Sequence, residues 1–197
     1  TAFDDVVGNS YTGISDKTTL SFTTGDTIDP TLTSTTPADN ATVIAVDSSI
    51  VLNFSEAVDV ETGNIVIYKT SDNSEVESID VTSNQVTGSG TSQITIDPSV
   101  TLESTTEYYI KIDATAFDDP FSNSYAGIND TTTLSFTTED IVGPSLSSST
   151  PADDATAVTE GSNIVLTFNE VVDVESGNIV IYKSSDDSVI ETIDVTS

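Results

Sequence analysis

The chain has 197 residues, of which 33 are Asp or Glu and only four are Lys or Arg, so its net charge is −29 at pH 7. Nucleic acids and anionic membranes are not expected as partners, because their phosphate groups repel so acidic a chain. The sequence contains no His and no Cys, which excludes Ser-His-Asp and thiol catalysis as well as disulfides. We therefore expect a protein that is not an enzyme.

Alternating apolar and polar residues predict about seven short β-strands between residues 26 and 139. In chain order they are residues 32–36, the run with Ile50, Leu52 and Phe54, the run with Ile65 and Ile67, residues 76–80, the run with Ile94 and Ile96, the run with Tyr108, Ile110 and Ile112, and the run with Leu134 and Phe136. No segment has the apolar spacing of a helix, apart from a single turn near residues 114–117. The pattern predicts an all-β fold.

The end of the chain repeats its beginning with an offset of 114 residues. Residues 1–83 align with residues 115–197 without a gap, and 54 of the 83 aligned pairs are identical. A period of 114 residues is too long for one turn of a solenoid and suits a whole β-sandwich. Because Pro30 and Pro144 each end a short linker, we predict three parts: 1–25, the C-terminal fragment of one copy; 26–139, a complete copy; and 140–197, the N-terminal part of a third.

Several runs of the complete copy resemble the bacterial Ig-like domain of the SbsA type. Residues 34–42 (Ser-Thr-Thr-Pro-Ala-Asp-Asn-Ala-Thr), 50–59 (Ile-Val-Leu-Asn-Phe-Ser-Glu-Ala-Val-Asp) and 106–112 (Thr-Glu-Tyr-Tyr-Ile-Lys-Ile) are similar to its strands. The resemblance implies an Ig-like antiparallel β-sandwich. In that family such domains stand in tandem as spacers in S-layer proteins and giant RTX-type adhesins, so the resemblance also implies an extracellular or cell-surface location.

One loop differs between the two copies that contain it. Residues 5–9 read Asp-Val-Val-Gly-Asn, which is similar to a D-x-x-G-N loop of the family, whereas residues 119–123 read Asp-Pro-Phe-Ser-Asn. Because Ser122 stands where the first copy has Gly8, the conformation of this loop in the complete copy is not predicted.

Acidic residues follow the second and sixth strands and fill the linker that enters the domain, and an Ig-like sandwich brings these segments to one end. They are Asp26, Asp29, Glu56, Asp59, Asp113, Asp118 and Asp119 in the complete copy, Asp140, Glu170 and Asp173 in the next copy, and Asp4 and Asp5 in the preceding one. Calcium takes about six to eight oxygen ligands. One hypothesis is a calcium ion that stiffens the junction between copies; the other is that each carboxylate is solvated separately and keeps the protein soluble.

Tyr108 begins the sixth predicted strand, six residues after Leu102. In Ig-like sandwiches a tyrosine near the start of strand F hydrogen-bonds its hydroxyl to nearby backbone, an arrangement called the tyrosine corner. We predict a structural role of this kind for Tyr108, with packing in the core as the alternative.

Two functions follow from this organisation. The first is a structural spacer in a long extracellular adhesin or surface filament, and the second is a module that binds carbohydrate or a host surface. A binding module would use exposed aromatic side chains, and the candidates are Phe3, Tyr11, Phe117, Phe121 and Tyr125. Because Phe3 and Tyr11 recur as Phe117 and Tyr125, we expect these rings to pack against the end of the domain, which favours the spacer.

The two incomplete copies hold no counterpart of residues 84–114, so they cannot complete one sandwich between them. Residues 1–25 contain only one clear strand, at Leu20–Thr24, and a single strand is not stable in water. We therefore expect the partners of both ends to be neighbouring copies of the repeat, either in one chain or in subunits that exchange strands.

Overall fold

The structure, a computed structural model, describes residues 2–196. It divides into two compact units, Thr1–Asp140 and Ile141–Ser197. The described residues form strands and loops, and no helix among them is long and apolar enough to cross a membrane. The prediction of an all-β fold is confirmed.

Within residues 2–140 the first unit forms ten strands in two sheets. In chain order they are β1 (Leu32–Thr36), β2 (Ala41–Ile44), β3 (Ile50–Val60), β4 (Asn64–Lys69), β5 (Glu75–Asp80), β6 (Val86–Thr87), β7 (Thr91–Ile96), β8 (Glu107–Ile112), β9 (Phe117–Asp118) and β10 (Ser135–Thr138). One sheet has the order β1–β3–β7–β6, with β9 also paired to β3, and the other has the order β2–β10–β8–β4–β5. The two sheets form the predicted sandwich.

Three short strands and one pairing direction were not predicted. The strands β2, β6 and β9 have four, two and two residues, too few to show an alternating pattern. Strand β2 follows β1 of the first sheet but joins the second sheet, where it pairs parallel to β10. The sandwich is therefore antiparallel except at this edge.

The core of the sandwich lies between the two sheets and contains the apolar residues of the alternating runs. Its most buried side chains include Ile50, Leu52, Val58, Ile65, Ile67, Ile79, Ile94, Ile96, Tyr108, Ile110, Phe117 and Leu134. Phe54 packs against Phe117 and Tyr125, with ring centroids 5.5 and 5.2 Å apart. The rings of Phe117, in β9, and of Tyr125, in the loop after β9, are thus part of the core.

Residues 2–25 form no strand, although the corresponding residues 116–139 of the complete copy contain β9 and β10. Their only bridge joins Asp4 to Ser10. Leu20 and Phe22 are 71% and 87% exposed, whereas their counterparts Leu134 and Phe136 are 1% and 2% exposed. The strand predicted at Leu20–Thr24 is wrong for this chain, because no neighbouring strand supplies its backbone hydrogen bonds.

Within residues 141–196 the second unit consists of two antiparallel hairpins. They are formed by β11 (Leu146–Thr150) with β12 (Val165–Phe168), and by β13 (Asn178–Lys183) with β14 (Ser188–Asp194). Their registers correspond to those of the first unit, since Leu146 opposes Phe168 as Leu32 opposes Phe54. The period of 114 residues and the three predicted parts stay predictions from the sequence.

Tyr108 is 1% exposed and its hydroxyl accepts a hydrogen bond from the backbone N–H of Glu103 at 2.8 Å. This contact ties the loop before β8 to the core, which is the structural role expected of a tyrosine corner.

The Tyr108→Phe variant is expected to lower the free energy of unfolding by about 1–2 kcal/mol, because the N–H of Glu103 loses its acceptor. Urea denaturation measures this change. Tyr182→Phe, at a side chain that is 59% exposed, serves as the control and should change stability by less than about 0.5 kcal/mol. Equal stability of the two variants would show that Tyr108 contributes only packing.

Candidate calcium site

Three carboxylates from distant parts of the sequence lie close together in the first unit. Asp26 precedes β1, Glu56 lies in β3, and Asp119 directly follows β9. One carboxylate oxygen from each side chain lies within 4.8 Å of the other two, and no other such group of three occurs among residues 2–196. We call Asp26, Glu56 and Asp119 the acidic cluster.

The loop that follows Asp119 holds its carboxylate in place. Asp119 Oδ1 accepts hydrogen bonds from the backbone N–H groups of Phe121 and Asn123, and Oδ2 accepts one from Asn123 Nδ2, all at 2.8 Å. The residue is only 3% exposed. Because each carboxylate oxygen can accept about two hydrogen bonds, Oδ2 keeps room for a further ligand.

The same loop forms in the first copy, where Asp5 accepts hydrogen bonds from Val7 and Asn9 in the same way. Ser122 has a φ of +68°, so it adopts the left-handed conformation that Gly8 has at +92°. A non-glycine residue there costs on the order of 1 kcal/mol. The hydrogen bonds of the Asp and Asn therefore maintain the loop although the Gly is absent.

Charge and burial act differently on the members of the acidic cluster. Burial, followed by the negative charges of Asp26 and Asp119, raises the pKa of Glu56 above its ordinary value. Burial acts to raise the pKa of Asp119 as well, but the hydrogen bonds from Asn123 and Phe121 outweigh it and hold that pKa below the ordinary value. The mutual repulsion of the carboxylates in the acidic cluster thus acts mainly on the pKa of Glu56. A bound cation would reduce this repulsion.

The sequence profile of the bacterial Ig-like domain matches residues 26–138 and, a second time, residues 140–197. The chain belongs to this family. Asp26 is the first residue of the first match, so the acidic cluster joins the entry of this bacterial Ig-like domain to β3 and to the loop after β9. No curated protein sequence matches the chain.

Solved structures that resemble this pair of bacterial Ig-like domains share little sequence with it. CopC from Methylosinus trichosporium OB3b is 17% identical with a TM-score of 0.42, and the similarity covers 58% of this chain and 97% of CopC. The N-terminal part of the bacterial S-layer protein SbsC is 15% identical with a TM-score of 0.39, over 83% of this chain and 37% of that one. A structure of the S-layer protein rSbsC(31-844) is 14% identical with a TM-score of 0.37, over 86% of this chain and 24% of that one.

The acidic cluster has the donor chemistry of a hard-cation site. Its three side chains offer carboxylate oxygens and neither nitrogen nor sulfur, which suits calcium better than zinc or copper. Calcium takes about six to eight oxygens, so three carboxylates would leave positions for backbone carbonyls or water. When bound, the ion would supply the positive charge that the acidic cluster lacks.

Several other predicted ligands of the complete copy are used elsewhere in the bacterial Ig-like domain. Asp113 Oδ2 accepts a hydrogen bond from the backbone N–H of Asn64 at 2.8 Å and so fixes the start of β4. Asp59 opposes Asp118 in the β3–β9 pair, and Asp59 Oδ1 also accepts a hydrogen bond from Ser89 Oγ at 3.4 Å. The structure does not bring Asp59, Asp113 or Asp118 into the acidic cluster.

The remaining predicted ligands also lie outside the acidic cluster. Asp29 is exposed in the segment before β1, and Glu170 and Asp173 are exposed in the second unit. Asp140 Oδ1 accepts a hydrogen bond from Ser104 Oγ at 3.1 Å. A calcium ion shared between two copies therefore stays a prediction.

Two functional contacts were missed by the sequence analysis. Asn123 holds Asp119, and the signal for it was the spacing of four residues that recurs as Asp5 and Asn9. Asp39 was also missed. Its Oδ1 accepts hydrogen bonds from the backbone N–H and the hydroxyl of Ser135, both at 3.0 Å, which links the turn before β2 to β10.

In the metal-free chain the carboxyl group of Glu56 is expected to titrate above 4.5, its ordinary value, because burial and its two acidic neighbours disfavour the charged form. Between the ordinary and the raised pKa the folded state binds more protons than the unfolded state. Glu56 therefore makes the free energy of unfolding fall as the pH rises through this window. NMR titration of the carboxyl carbon measures the pKa.

Glu56→Gln is expected to remove this pH dependence, since Gln does not titrate. The control is Glu75→Gln, which removes an exposed carboxylate from β5 and should leave the pH dependence unchanged. A titration of Glu56 at or below 4.5 would show that the carboxylates of the acidic cluster do not repel one another.

Proposed function

We propose that the chain is a structural spacer of an extracellular protein, such as a long adhesin or a surface filament. The observation that carries this proposal is the tandem arrangement, since the bacterial Ig-like domain matches twice in succession at residues 26–138 and 140–197. A spacer is built by repetition of one stable unit, whereas a catalytic or binding site does not require repetition. The complete sandwich is such a unit, with a continuous core of its own.

The turns of both units support this proposal because their own Asp side chains fix them. Five turns are examples: in each, an Asp Oδ1 accepts a hydrogen bond from the backbone N–H two residues further on, with N···O distances from 2.8 to 3.2 Å. The pairs are Asp72 with Ser74, Asp80 with Thr82, Asp130 with Thr132, Asp186 with Ser188 and Asp194 with Thr196. Turns of this kind are short and self-supporting, which suits an element that transmits force.

We extend the proposal to calcium at the acidic cluster. Asp26 belongs to the segment that enters the sandwich, whereas Glu56 and Asp119 belong to the sandwich itself. An ion held by all three would tie the entering segment to the domain and so restrict the bending of the chain at that point. This arrangement would give the spacer a stiffness that depends on calcium.

The alternative function, recognition of carbohydrate or of a host surface, is supported by few exposed aromatic rings in the complete copy. Phe117 and Tyr125 are 0% and 6% exposed because they pack against Phe54, whereas Phe121 is 61% exposed. In the first copy Phe3 and Tyr11 are 71% and 50% exposed, so the expected packing of these two rings is wrong. A single ring gives little contact area for a sugar. The spacer is therefore the function that we propose, and recognition of carbohydrate is one possible outcome of the experiment that follows.

Single-molecule pulling on the full chain tests the mechanical role. We expect the complete sandwich to unfold in one event, at a force that rises when calcium is added, and we expect no signal from the chain on a glycan array. Gradual extension without a force peak would contradict the spacer. Selective binding to a glycan, abolished by Phe121→Ala, would support the alternative.

Calcium at about a hundred times its Kd is expected to stabilise the complete sandwich by about 2.7 kcal/mol, which corresponds to a rise in Tm of roughly 10 °C. Thermal unfolding in calcium and in EGTA measures the rise. Glu56→Gln should abolish most of it, and the control Glu75→Gln should retain it. Equal melting in calcium and EGTA would disprove the calcium site without disproving the spacer.

A further inference from the structure

An open groove of about 370 Å³ lies beside β1 of the first unit. It is lined by residues 32–35 of β1 and by Ala38, Asp39, Tyr125 and Thr133. Because successive side chains of a strand point to opposite faces of its sheet, a groove that is lined by four successive residues runs along the edge of the strand. We call these lining residues the edge groove.

The backbone of β1 is unpaired on the side of the edge groove. Strand β1 is a terminal strand of its sheet and pairs with β3 only, among the residues that the structure describes. An unpaired strand edge presents a row of N–H and C=O groups to which a further strand can add. The edge groove therefore combines free backbone groups with the side chains that line it.

The other terminal strands of the two sheets are protected against strand addition, whereas β1 is not. Strand β5 carries three carboxylates, at Glu75, Glu77 and Asp80. Strand β6 has only two residues, and β2 is interrupted by Val43, whose φ is +60°. The five residues of β1 are Leu-Thr-Ser-Thr-Thr, with no charge and no proline. Charges, shortness and irregular backbone are the usual means by which proteins block an edge, so their absence from β1 indicates an edge that is open to a partner.

Tyr125 supplies the edge groove with a hydroxyl group that has no partner. The residue is 6% exposed, its ring packs edge-on against Phe54, and no hydrogen bond joins its hydroxyl to another of the described residues. Burial, followed by the negative charge of Asp130, raises the pKa of Tyr125 to about 12, so the hydroxyl keeps its proton at neutral pH. Because a buried polar group without a partner is costly, this donor is available to a ligand in the edge groove.

The charge of the edge groove selects the kind of partner. Asp39 lines the groove directly, and Asp130 is bonded to the lining residue Thr133. Asp130 Oδ1 accepts a hydrogen bond from the backbone N–H of Thr133 at 2.8 Å, and Oδ2 accepts one from its hydroxyl at 2.7 Å. The lining residues include no Lys or Arg. Two carboxylates in a chain with a net charge of −29 repel an acidic ligand and attract a basic one.

We propose that the edge groove binds an extended, basic peptide segment of a partner protein, which pairs with the free edge of β1 as an additional strand. The Tyr125 hydroxyl donates a hydrogen bond to a backbone carbonyl of the segment. A Lys or Arg side chain of the segment forms an ion pair with Asp39 and is attracted by Asp130 as well. This inference goes beyond the spacer role and does not rest on it, because it concerns the attachment of a second protein to the domain.

A labelled peptide in which Thr and Val alternate and Lys stands at both ends, added to the full chain, tests the proposal. We expect saturable binding that weakens as salt is added, with amide hydrogen exchange slowed in β1. The same peptide with Glu in place of Lys should bind at least tenfold more weakly, because its charges are repelled. A version with Pro at its centre should not bind, since Pro has no backbone N–H to donate.

A pair of tyrosine variants tests the hydroxyl group. Tyr125→Phe removes the hydroxyl and keeps the ring that packs on Phe54, so it should weaken binding of the basic peptide about fivefold. Tyr68→Phe also removes one hydroxyl, but Tyr68 lies in β4 and outside the edge groove. This control should change binding less than about twofold. Thermal unfolding of both variants without peptide shows whether the sandwich is folded.

A pair of aspartate variants tests the charge. Asp39→Asn removes the charge but keeps an oxygen that can accept the hydrogen bonds of Ser135, and it should weaken binding of the basic peptide about fivefold. Its control is Asp72→Asn. Asp72 Oδ1 accepts hydrogen bonds from the backbone N–H and the hydroxyl of Ser74, as Asp39 Oδ1 does from those of Ser135, but it lies outside the edge groove. The control should change binding less than about twofold.

Three results would overturn the proposal. The first is that the basic peptide does not bind, or binds no better than the acidic one, although thermal unfolding shows a folded sandwich. The second is that exchange is slowed only in strands other than β1, because the peptide would then add to a different edge. The third is that the two members of either pair of variants bind the basic peptide equally well, because the peptide would then not contact the side chains of the edge groove.

Discussion

The Leu52→Ala variant is expected to lower the free energy of unfolding of the complete sandwich by about 3 kcal/mol, within the usual range of 2–5 kcal/mol for a buried leucine. Leu52 is 0% exposed and is the third residue of β3, where it opposes Thr35 of β1 on one side and Ile94 of β7 on the other. Its removal leaves a cavity between two sheets that are fixed by hydrogen bonds on both sides of β3, so the structure around it can relax only in part. Urea denaturation followed by tyrosine fluorescence measures the loss.

The chain contains its own control for this experiment. Leu166 is the counterpart of Leu52 in the second unit and likewise lies between a Val and a Phe two residues further on, but it is 40% exposed. Leu166→Ala should change the main unfolding transition by less than about 0.5 kcal/mol. If the two variants lost equal stability, burial would not be the cause, and the two units would unfold as one body.

The Gly127→Ala variant is expected to destabilise the sandwich by about 2 kcal/mol or more. A Cβ at this position would overlap the carbonyl oxygen of Ile112 and lie 2.8 Å from the backbone nitrogen of Ala114. The residue also has a φ of +74°, which costs an L-amino acid about 1–2 kcal/mol by itself. The neighbouring Ile128 exchanges two backbone hydrogen bonds of 2.9 Å with Ile112, so relief of the overlap would break that pair.

Gly13 provides the matched control, because it is the counterpart of Gly127 in the first copy. It has a similar φ of +84°, but no atom lies within 4 Å of the position of a Cβ. Residues 2–25 form no strand, so the backbone around residue 13 can change its φ without disturbing the core, and Gly13→Ala should leave the Tm of the sandwich within about 1 °C. A loss of stability as large as that of Gly127→Ala would show that residues 2–25 contribute to the cooperative core. A negligible loss for Gly127→Ala would contradict the packing described here.

Most strands of the sandwich could be predicted from the alternation of apolar and polar side chains. Whether the segments at the chain ends form strands could not be predicted. Leu-Ser-Phe-Thr-Thr occurs twice, as residues 20–24 and 134–138, and only the second copy contains a strand. Strand β10 lies between β8 and β2, and residues 20–24 have no such neighbours among the described residues. Local sequence therefore predicts which side chains alternate, whereas tertiary partners decide whether the strand forms.

The candidate site was predictable as a region but not as a set of ligands. Loop positions in an Ig-like sandwich placed the acidic residues together, and Asp26, Glu56 and Asp119 do meet. The sequence does not show that Asp113 Oδ2 already accepts a hydrogen bond from the backbone N–H of Asn64. A carboxylate that already accepts backbone hydrogen bonds is less available to an ion, and this competition becomes visible only when the fold is known.

The turns fixed by Asp side chains have a consequence for the acidity of the chain. Repulsion between exposed charges is screened over about 8 Å at physiological ionic strength and about 3 Å in molar salt. The hydrogen bonds that Asp80 and Asp130 accept from the backbone N–H groups of Thr82 and Thr132 are 2.8 Å long, so their partners are in direct contact and no ions intervene. Concentrated salt would thus suppress the mutual repulsion of the carboxylates but would leave the hydrogen bonds of the turns intact. The same acidic composition is therefore compatible with the folded structure in both dilute and saline solution.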